Sequence, residues 1–484
     1  MKTITKYLLV VFASVFFVGL NSCKKSFLEI EPKGYLIAKN TMDYDQILNA
    51  SDIMIAFMAS AYQGDEVGLQ EKFFDGVGRR LQRLFRHEDR VYQPDELPVE
   101  ITDAGSYVNR LYLFNKVINE VMESQGGTEE QKSNILAQAR VGRALCNLMF
   151  LNDFSLPYDP ATASQLLGIP LITAADVTQR KFERVTIQES YDFVIRDLTE
   201  AIPDLGPVKH RRKFSKAAAE FFLGRVYLYM GQFEDARKHI DNVFAELDKA
   251  NIALALYDYN DVLAPGGEWG ADMDFGFGPS NKPLDANNTE ILYNVVVNTF
   301  HYASANAVVI SPETAALYNE SDKRLALYSD TELFGSYIFP KGMRRYPGFS
   351  SNAGPSVPDL YLMRAELKAR AGDLNGAASD VEYLRAKRMS DDIEVPANIA
   401  SDQNALVKFI LDERIREFPL TGLRWLDMRR LSVDPIFKHT LTYKHNIYNE
   451  EGNVVHTYTL RPERFALKFG ERMLSENDGL VENQ

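Results

Sequence analysis

The sequence predicts a mostly α-helical protein in which repeated helix pairs form a scaffold and a large loop-rich insertion interrupts it. Three observations carry that expectation. Apolar residues recur at helical spacing along most of the chain. One helix-turn-helix pattern occurs twice at a constant offset, and between its copies the texture turns to Gly, Pro and Asn.

The first element is a leader. Lys2 and Lys6 precede an uncharged apolar stretch from Tyr7 to Leu20, and Leu20-Asn21-Ser22-Cys23 places a small residue before cysteine, as a lipoprotein signal peptidase requires. At about 1.5 Å per residue the stretch covers only about two thirds of a bilayer core of roughly 30 Å, which disfavours a spanning helix. Residues 1–22 are therefore expected to be removed, leaving Cys23 as an acylated first residue. An ordinary secretory signal with a chance cysteine is the alternative. Two acyl chains, at about 0.8 kcal/mol per buried methylene, suffice for stable anchoring.

Residues 23–484 contain no Pro/Gly/Ser-rich or charge-block linker and are read as one unit. Helical periodicity begins in 107–150, where Leu111, Phe114, Val117, Ile118 and Val121 recur, and Ile135 to Phe150 and Ser190 to Ile202 follow suit. In 214–244 the pattern becomes explicit. Ala218, Phe222, Val226 and Tyr229 mark one helix, Gly231 a turn, and Phe233, Ala236, Ile240 and Val243 a second. The same pattern returns in 359–388. Leu362, Ala365 and Ala369 match Phe221, Gly224 and Leu228; Gly372 matches Gly231; Leu374, Ala377, Val381 and Leu384 match the second helix. Small residues at Gly224, Ala365, Ala236 and Ala377 allow close helix approach. This is tetratricopeptide spacing, without the tryptophan and proline of the full motif. A further unit is expected in 405–431, because repeats of this kind bury their faces only against neighbours.

The insertion runs mainly within 255–350. Asp261 to Pro283 is rich in Gly, Pro and Asn and carries Trp269, Phe275 and Phe277, and Ile291 to Val297 is a β-prone run. Loops of that length in a compact protein usually serve a function or are disordered.

Composition narrows the function. The net charge is −13, and loss of Lys2 and Lys6 with the leader takes it to −15, which disfavours nucleic acid. With Cys23 acylated, Cys146 is the remaining thiol; it sits in an apolar run and reads as a core residue. No catalytic spacing emerges. His87 is followed by Glu88-Asp89-Arg90 rather than a second zinc-type histidine; no nucleophile elbow or P-loop is present; Gly276-Phe277-Gly278 has Asn281 where a third glycine belongs. Asp65 and Glu66 form a carboxylate pair of the sort an acidic chain offers by chance. Neither a cofactor nor a metal is expected.

Together these segments resemble the SusD/RagB-like outer-membrane lipoproteins of nutrient-uptake systems. Phe27-Leu28-Glu29 with Pro32 looks like that family's opening, and Tyr112 to Val121 resembles its helix with a central Asn. Leu136 to Phe150, Gly168-Ile169-Pro170-Leu171 and Asp359 to Glu366 match later signatures. Glu413, Arg414, Glu417, Gly422, Arg424, Trp425, Asp427 and Arg430 carry its E-R…E…G-x-R-W-x-D-x-x-R pattern. Two departures are a C-terminal Lys468-Phe469-Gly470 instead of Pro-Ile-Pro, and Lys24-Lys25 where exported members have acids. The resemblance implies four tetratricopeptide-like units, a lipid anchor in the outer membrane facing the cell exterior, and a TonB-dependent β-barrel (SusC-like) partner that the lipoprotein covers. It also implies an oligosaccharide ligand, with a peptide as alternative. A lipoprotein that binds only protein partners is the competing function.

Arg424, Trp425, Asp427, Glu413 and Arg414 are read as structural, since Arg424, Asp427 and Arg430 at threefold spacing make adjacent opposite charges on a helix. A sugar site needs flat aromatic faces flanked by amides, carboxylates or arginines. The candidates are Trp269, with Asp272 and Phe275 after it; Tyr62 with Asp65; Tyr92; Tyr302; and Arg345. For Trp269 the competing role is to pin its loop to the scaffold.

Overall fold

The helix pairs anticipated from periodicity all form in the computed structural model, which describes residues 38–50, 53, 55–56, 58–94, 97–270, 278–279, 281–283, 286–298, 306–348 and 350–483. In chain order the long helices are α1 (Leu97–Glu120), α2 (Glu129–Phe154), α3 (Ile187–Ala201), α4 (Lys216–Tyr229), α5 (Phe233–Leu247), α6 (Val357–Arg370), α7 (Leu374–Ala386), α8 (Gln403–Glu417) and α9 (Leu423–Ser432). Their starts follow from capping. Thr128 and Thr186 each accept the N3 amide in capping boxes with Gln131 and Glu189, and Ser215, Asp373 and Asp402 cap α4, α7 and α8.

Gly231 and Gly372 close the two turns between paired helices at φ 73° and 85°, a left-handed conformation that costs other residues a Cβ clash. Within the first pair, a Cβ on Gly224 would lie 2.7 Å from Ile240 Cδ1, so α4 and α5 approach closely there and a larger residue would have to displace the Ile240 side chain. Successive helices pack in sequence from α1 to α6, and α8 packs on α6. One apolar cluster lies among α1 to α4, and another among α6 to α9. A third, with Phe221, Ile240, Leu360 and Leu367, joins them across α4, α5 and α6. Cys146 is buried in the first cluster.

Small sheets make up the loop layer. Strands β1 (Ile55–Ala56), β5 (Val296–Asn298) and β7 (Ser350–Asn352) form one; β3 (Leu167–Pro170) and β4 (Arg184–Thr186) another. The largest has the order β6-β2-β8-β9, from β2 (Val67–Gln70), β6 (Val308–Ile310), β8 (Lys444–Tyr448) and β9 (Val454–Thr459). Leu69 pairs with Val308 antiparallel and with Ile447 in parallel. The layer is thus assembled from N-terminal, central and C-terminal segments, whereas the sequence pointed mainly to 255–350. The β-prone run is also shorter than expected, since only Val296 and Val297 of it enter a strand, and Ile291 makes an isolated bridge to Ser356.

Candidate functional site

Where loops meet helices, the charge pattern of α8 and α9 is spent on buried ion pairs. Arg414 reaches Asp359 of α6 at 2.5 Å and Asp427 of α9 at 2.8 Å, and Arg430 reaches Asp427 at 2.9 Å and Glu366 at 2.7 Å. Arg225 of α4 shares Asp359. Burial opposes ionisation of Asp427, but Arg414 and Arg430 outweigh it and hold the carboxyl down to about 2. Glu366, facing Arg430 and Arg370 against the same opposition, also lies at about 2. Glu413 receives Arg324, Arg385 and Arg416, which keep it well below the usual carboxylate range despite burial. Arg324 and Arg388 carry the network into the insertion, through Asp322 and Glu290. Trp425 is buried and stacks on Phe465 at 4.9 Å.

Several residues expected at a ligand surface sit at joints instead. Arg424 grips both oxygens of Asp65, at 2.6 and 2.9 Å, and Asp65 also accepts the amide of Thr442 at 2.9 Å. Its carboxylate is thus engaged at a joint, where the segments carrying Arg424 and Thr442 meet it. Tyr62 and Tyr92 are buried rather than exposed. Arg345 is buried too, and its Nε donates to the carbonyl of Thr331 across a hairpin. Trp269 is 1% exposed and packs edge-on against Tyr257 at 4.8 Å and beside Tyr259 at 5.4 Å. Its indole pins the loop and offers no open face, the second of the two roles the sequence left open for it. Cys23, Asp272, Phe275 and Tyr302 lie outside the described residues.

Two other features are open. The first is the tip of a hairpin, bridged between Thr331 and Ile338, on which Phe334 is 75% and Ile338 68% exposed. Phe334 takes φ 62°, a strained conformation for an aromatic residue. Asn306 Oδ1 accepts the Leu333 amide at 2.6 Å and Glu332 accepts those of Ser336 and Tyr337, so the tip is braced. Lys72 lies 4.5 Å from the Tyr337 ring.

The second is a cavity of about 60 Å³ at the seam of α1, α2, α4 and α9. Ser60, Met149, Ala353 and Leu426 are half-exposed around it, while Tyr107, Asn152, Asp153, Arg225 and Tyr229 lie deeper and buried. Tyr107 donates to Asp153 at 2.5 Å, and Arg225 donates to the Ala353 carbonyl at 3.0 Å. Burial pushes the Tyr229 hydroxyl up to about 12, so it stays protonated. Sequence reasoning missed these residues. The available signal was the polar pair Asn152-Asp153 inside the apolar end of a helix. Among the described residues no cluster of His, Cys, Asp and Glu could hold a metal ion, and no helix is long and apolar enough to cross a membrane.

Fold and loops together define a helical-repeat protein of tetratricopeptide-like build carrying a mixed loop and sheet layer. Residues 26–228 match a SusD-like family model described as starch-binding and associating with the outer membrane, and residues 357–483 match the SusD family model. The chain belongs to the SusD/RagB family. It is similar to a SusD-like protein of Formosa agariphila, 24% identical over 312 residues; the match covers 54% of this chain and spans 62% of that relative's length. A putative sugar-binding protein of Bacteroides vulgatus has the same fold, with TM-score 0.69 and 18% identity, over 93% of this chain and 99% of that one. So does surface glycan-binding protein A of Bacteroides uniformis, with TM-score 0.65 and 14% identity, over 91% and 99%.

Proposed function

We propose that this chain is a non-enzymatic glycan-binding lipoprotein of the outer membrane, tethered through Cys23, that captures an oligosaccharide and hands it to a TonB-dependent β-barrel transporter. The family match over both ends of the chain carries this reading, supported by a fold shared with proteins described as sugar-binding and glycan-binding. The ion-pair network adds physical sense. It fixes the loop layer to the helices through charges that are already neutralised, leaving a rigid platform and no activated nucleophile or acid-base pair among the residues it uses.

The test is calorimetry of the mature chain against a panel of oligosaccharides and peptides, with product analysis after incubation. Binding of a glycan without bond cleavage is the expected result. Cleavage would reject the reading, binding of peptides alone would replace the cargo, and binding of neither would leave a lipoprotein that engages protein only. Mass spectrometry of the processed terminus checks the anchor, and co-purification with a β-barrel of the outer membrane checks the partner.

A further inference from the structure

We infer that Arg464 and His87 hold a buried monatomic anion, chloride in ordinary buffers, at the joint between the C-terminal turn Pro462–Phe465 and the loop of residues 86–91. The inference is independent of the glycan-binding reading and adds an ion to the way the loop layer is fastened. Arg464 is 2% exposed, and its guanidinium is only partly used. Nε donates to the Glu88 carbonyl at 2.7 Å and Nη1 to Gln63 Oε1 at 3.1 Å, whereas Nη2 is shut off from solvent and has no partner. The acids around it are engaged elsewhere: Asp89 with Arg461, Glu88 with Arg86 and Asp65 with Arg424. Other buried arginines are not left in this state. Arg324, Arg388, Arg414 and Arg430 meet carboxylates, and Arg184 and Arg429, which do not, end on carbonyl oxygens.

A second unpartnered nitrogen belongs to the next residue along the chain. His87 immediately precedes Glu88, whose carbonyl Arg464 holds; its side chain is buried, and its Nδ1 has no partner. The backbone there takes φ 53°, an uncommon conformation for a residue other than glycine. His445 offers no relief. Its ring lies 4.2 Å from that of His87, and both of its nitrogens are spent, at 2.8 Å, on the carbonyls of Phe85 and Gly64. Burial, with His445 and Arg464 adding to it, holds His87 well below the ordinary histidine value, so the ring is neutral and has one N–H to give. Buried polar groups are nearly always satisfied, and two left-over donors call for an acceptor. A water molecule would accept from them but leave the cation uncompensated. Burial already pushes the Arg464 guanidinium down to about 10, and an anion beside it removes the cost of a buried charge without a counter-ion. Because both nitrogens are closed to solvent, a single halide suits the place better than a phosphate or sulfate.

The experiment has two arms. Crystals of the mature protein are soaked in sodium bromide and the anomalous difference map is computed; a bromide peak within hydrogen-bond reach of Arg464 Nη2 is the expected result. Thermal unfolding of the wild type and of Arg464→Gln is then followed in sodium chloride and in sodium gluconate at equal ionic strength. A ligand that binds the folded state alone raises its midpoint, so the wild type should unfold about 1–2 °C higher in chloride once the ion is about tenfold above its dissociation constant, and the gain should saturate. Arg464→Gln should unfold at the same midpoint in both salts. Should that variant fail to fold, the bromide map of the wild type decides alone. Water or no density at Nη2, bromide peaks at surface positions only, which mark an adventitious ion only, equal wild-type midpoints in the two salts, or a chloride gain that survives in Arg464→Gln each overturn the inference.

Discussion

Replacing Arg414 by alanine probes the joint on which the second half of the scaffold depends. The guanidinium lies between Asp359 and Asp427, at 2.5 and 2.8 Å, and both carboxylates are buried. Removing one partner of a buried ion pair costs about 3–5 kcal/mol, because a charge is left without compensation. Here each carboxylate keeps a second arginine, Arg225 for Asp359 and Arg430 for Asp427, which places the expected loss near the lower figure, about 3 kcal/mol. Urea unfolding of the mature chain, followed by circular dichroism, measures it. The pH dependence gives a second readout. A carboxyl held below its unfolded value contributes stability that is complete above the unfolded pKa and is lost as pH falls through the folded one. For Asp427 that window runs from the ordinary aspartate value of 3.8 down to about 2. Without Arg414 its depression shrinks, so the variant should be weaker at pH 7 yet lose less on going from pH 4 to 2. A destabilisation under about 1 kcal/mol, or an unchanged acid limb, would refute the account of these pairs as the scaffold's joint.

Three further outcomes are expected. Gly224→Val should destabilise by about 1–3 kcal/mol in the same urea assay, because the new Cβ meets Ile240 where α4 and α5 cross. Burial, with the charge of Asp65 adding to it, pushes Glu66 up to about 8; a group raised in this way stabilises fully below its unfolded pKa and loses that contribution as pH rises to 8. Thermal unfolding midpoints of Glu66→Gln should therefore vary less between pH 5 and 8 than those of the wild type. Phe334→Ala should leave stability within about 0.5 kcal/mol, since the ring is exposed. If the hairpin tip contacts glycan, the substitution should weaken oligosaccharide binding by about 0.5–1.5 kcal/mol in calorimetry.

The helical part of this molecule was legible because its signals are local. Ala236, Ile240 and Val243 repeat at a period that one turn of helix enforces, and Gly231 and Gly372 mark turns by a conformation few residues tolerate. Arg424 and Asp427 also sit where their spacing put them, on one short helix. The candidate surface was not legible in the same way. Whether Trp269 faces solvent or scaffold is decided by Tyr257 and Tyr259, and nothing in its own glycine-rich neighbourhood reports their position. Asp65 looked like a loop acid, yet its partner stands at position 424. The cavity collects Ser60, Tyr107, Asn152, Tyr229 and Leu426 from five separate stretches, a convergence that only the packed helices create.

The largest sheet has a bearing on the order in which such a chain folds. Its interior strand β8 is drawn from residues 444–448 and lies beside a strand from residues 67–70. A ribosome that has delivered nine tenths of the polypeptide has not yet supplied β2 with that neighbour. Pairings so remote in sequence form slowly, because loop closure must precede their reward. The consequence is a chain whose loop layer stays unfinished until synthesis is almost over, so the helical repeats can form well before the sheet that covers them is complete.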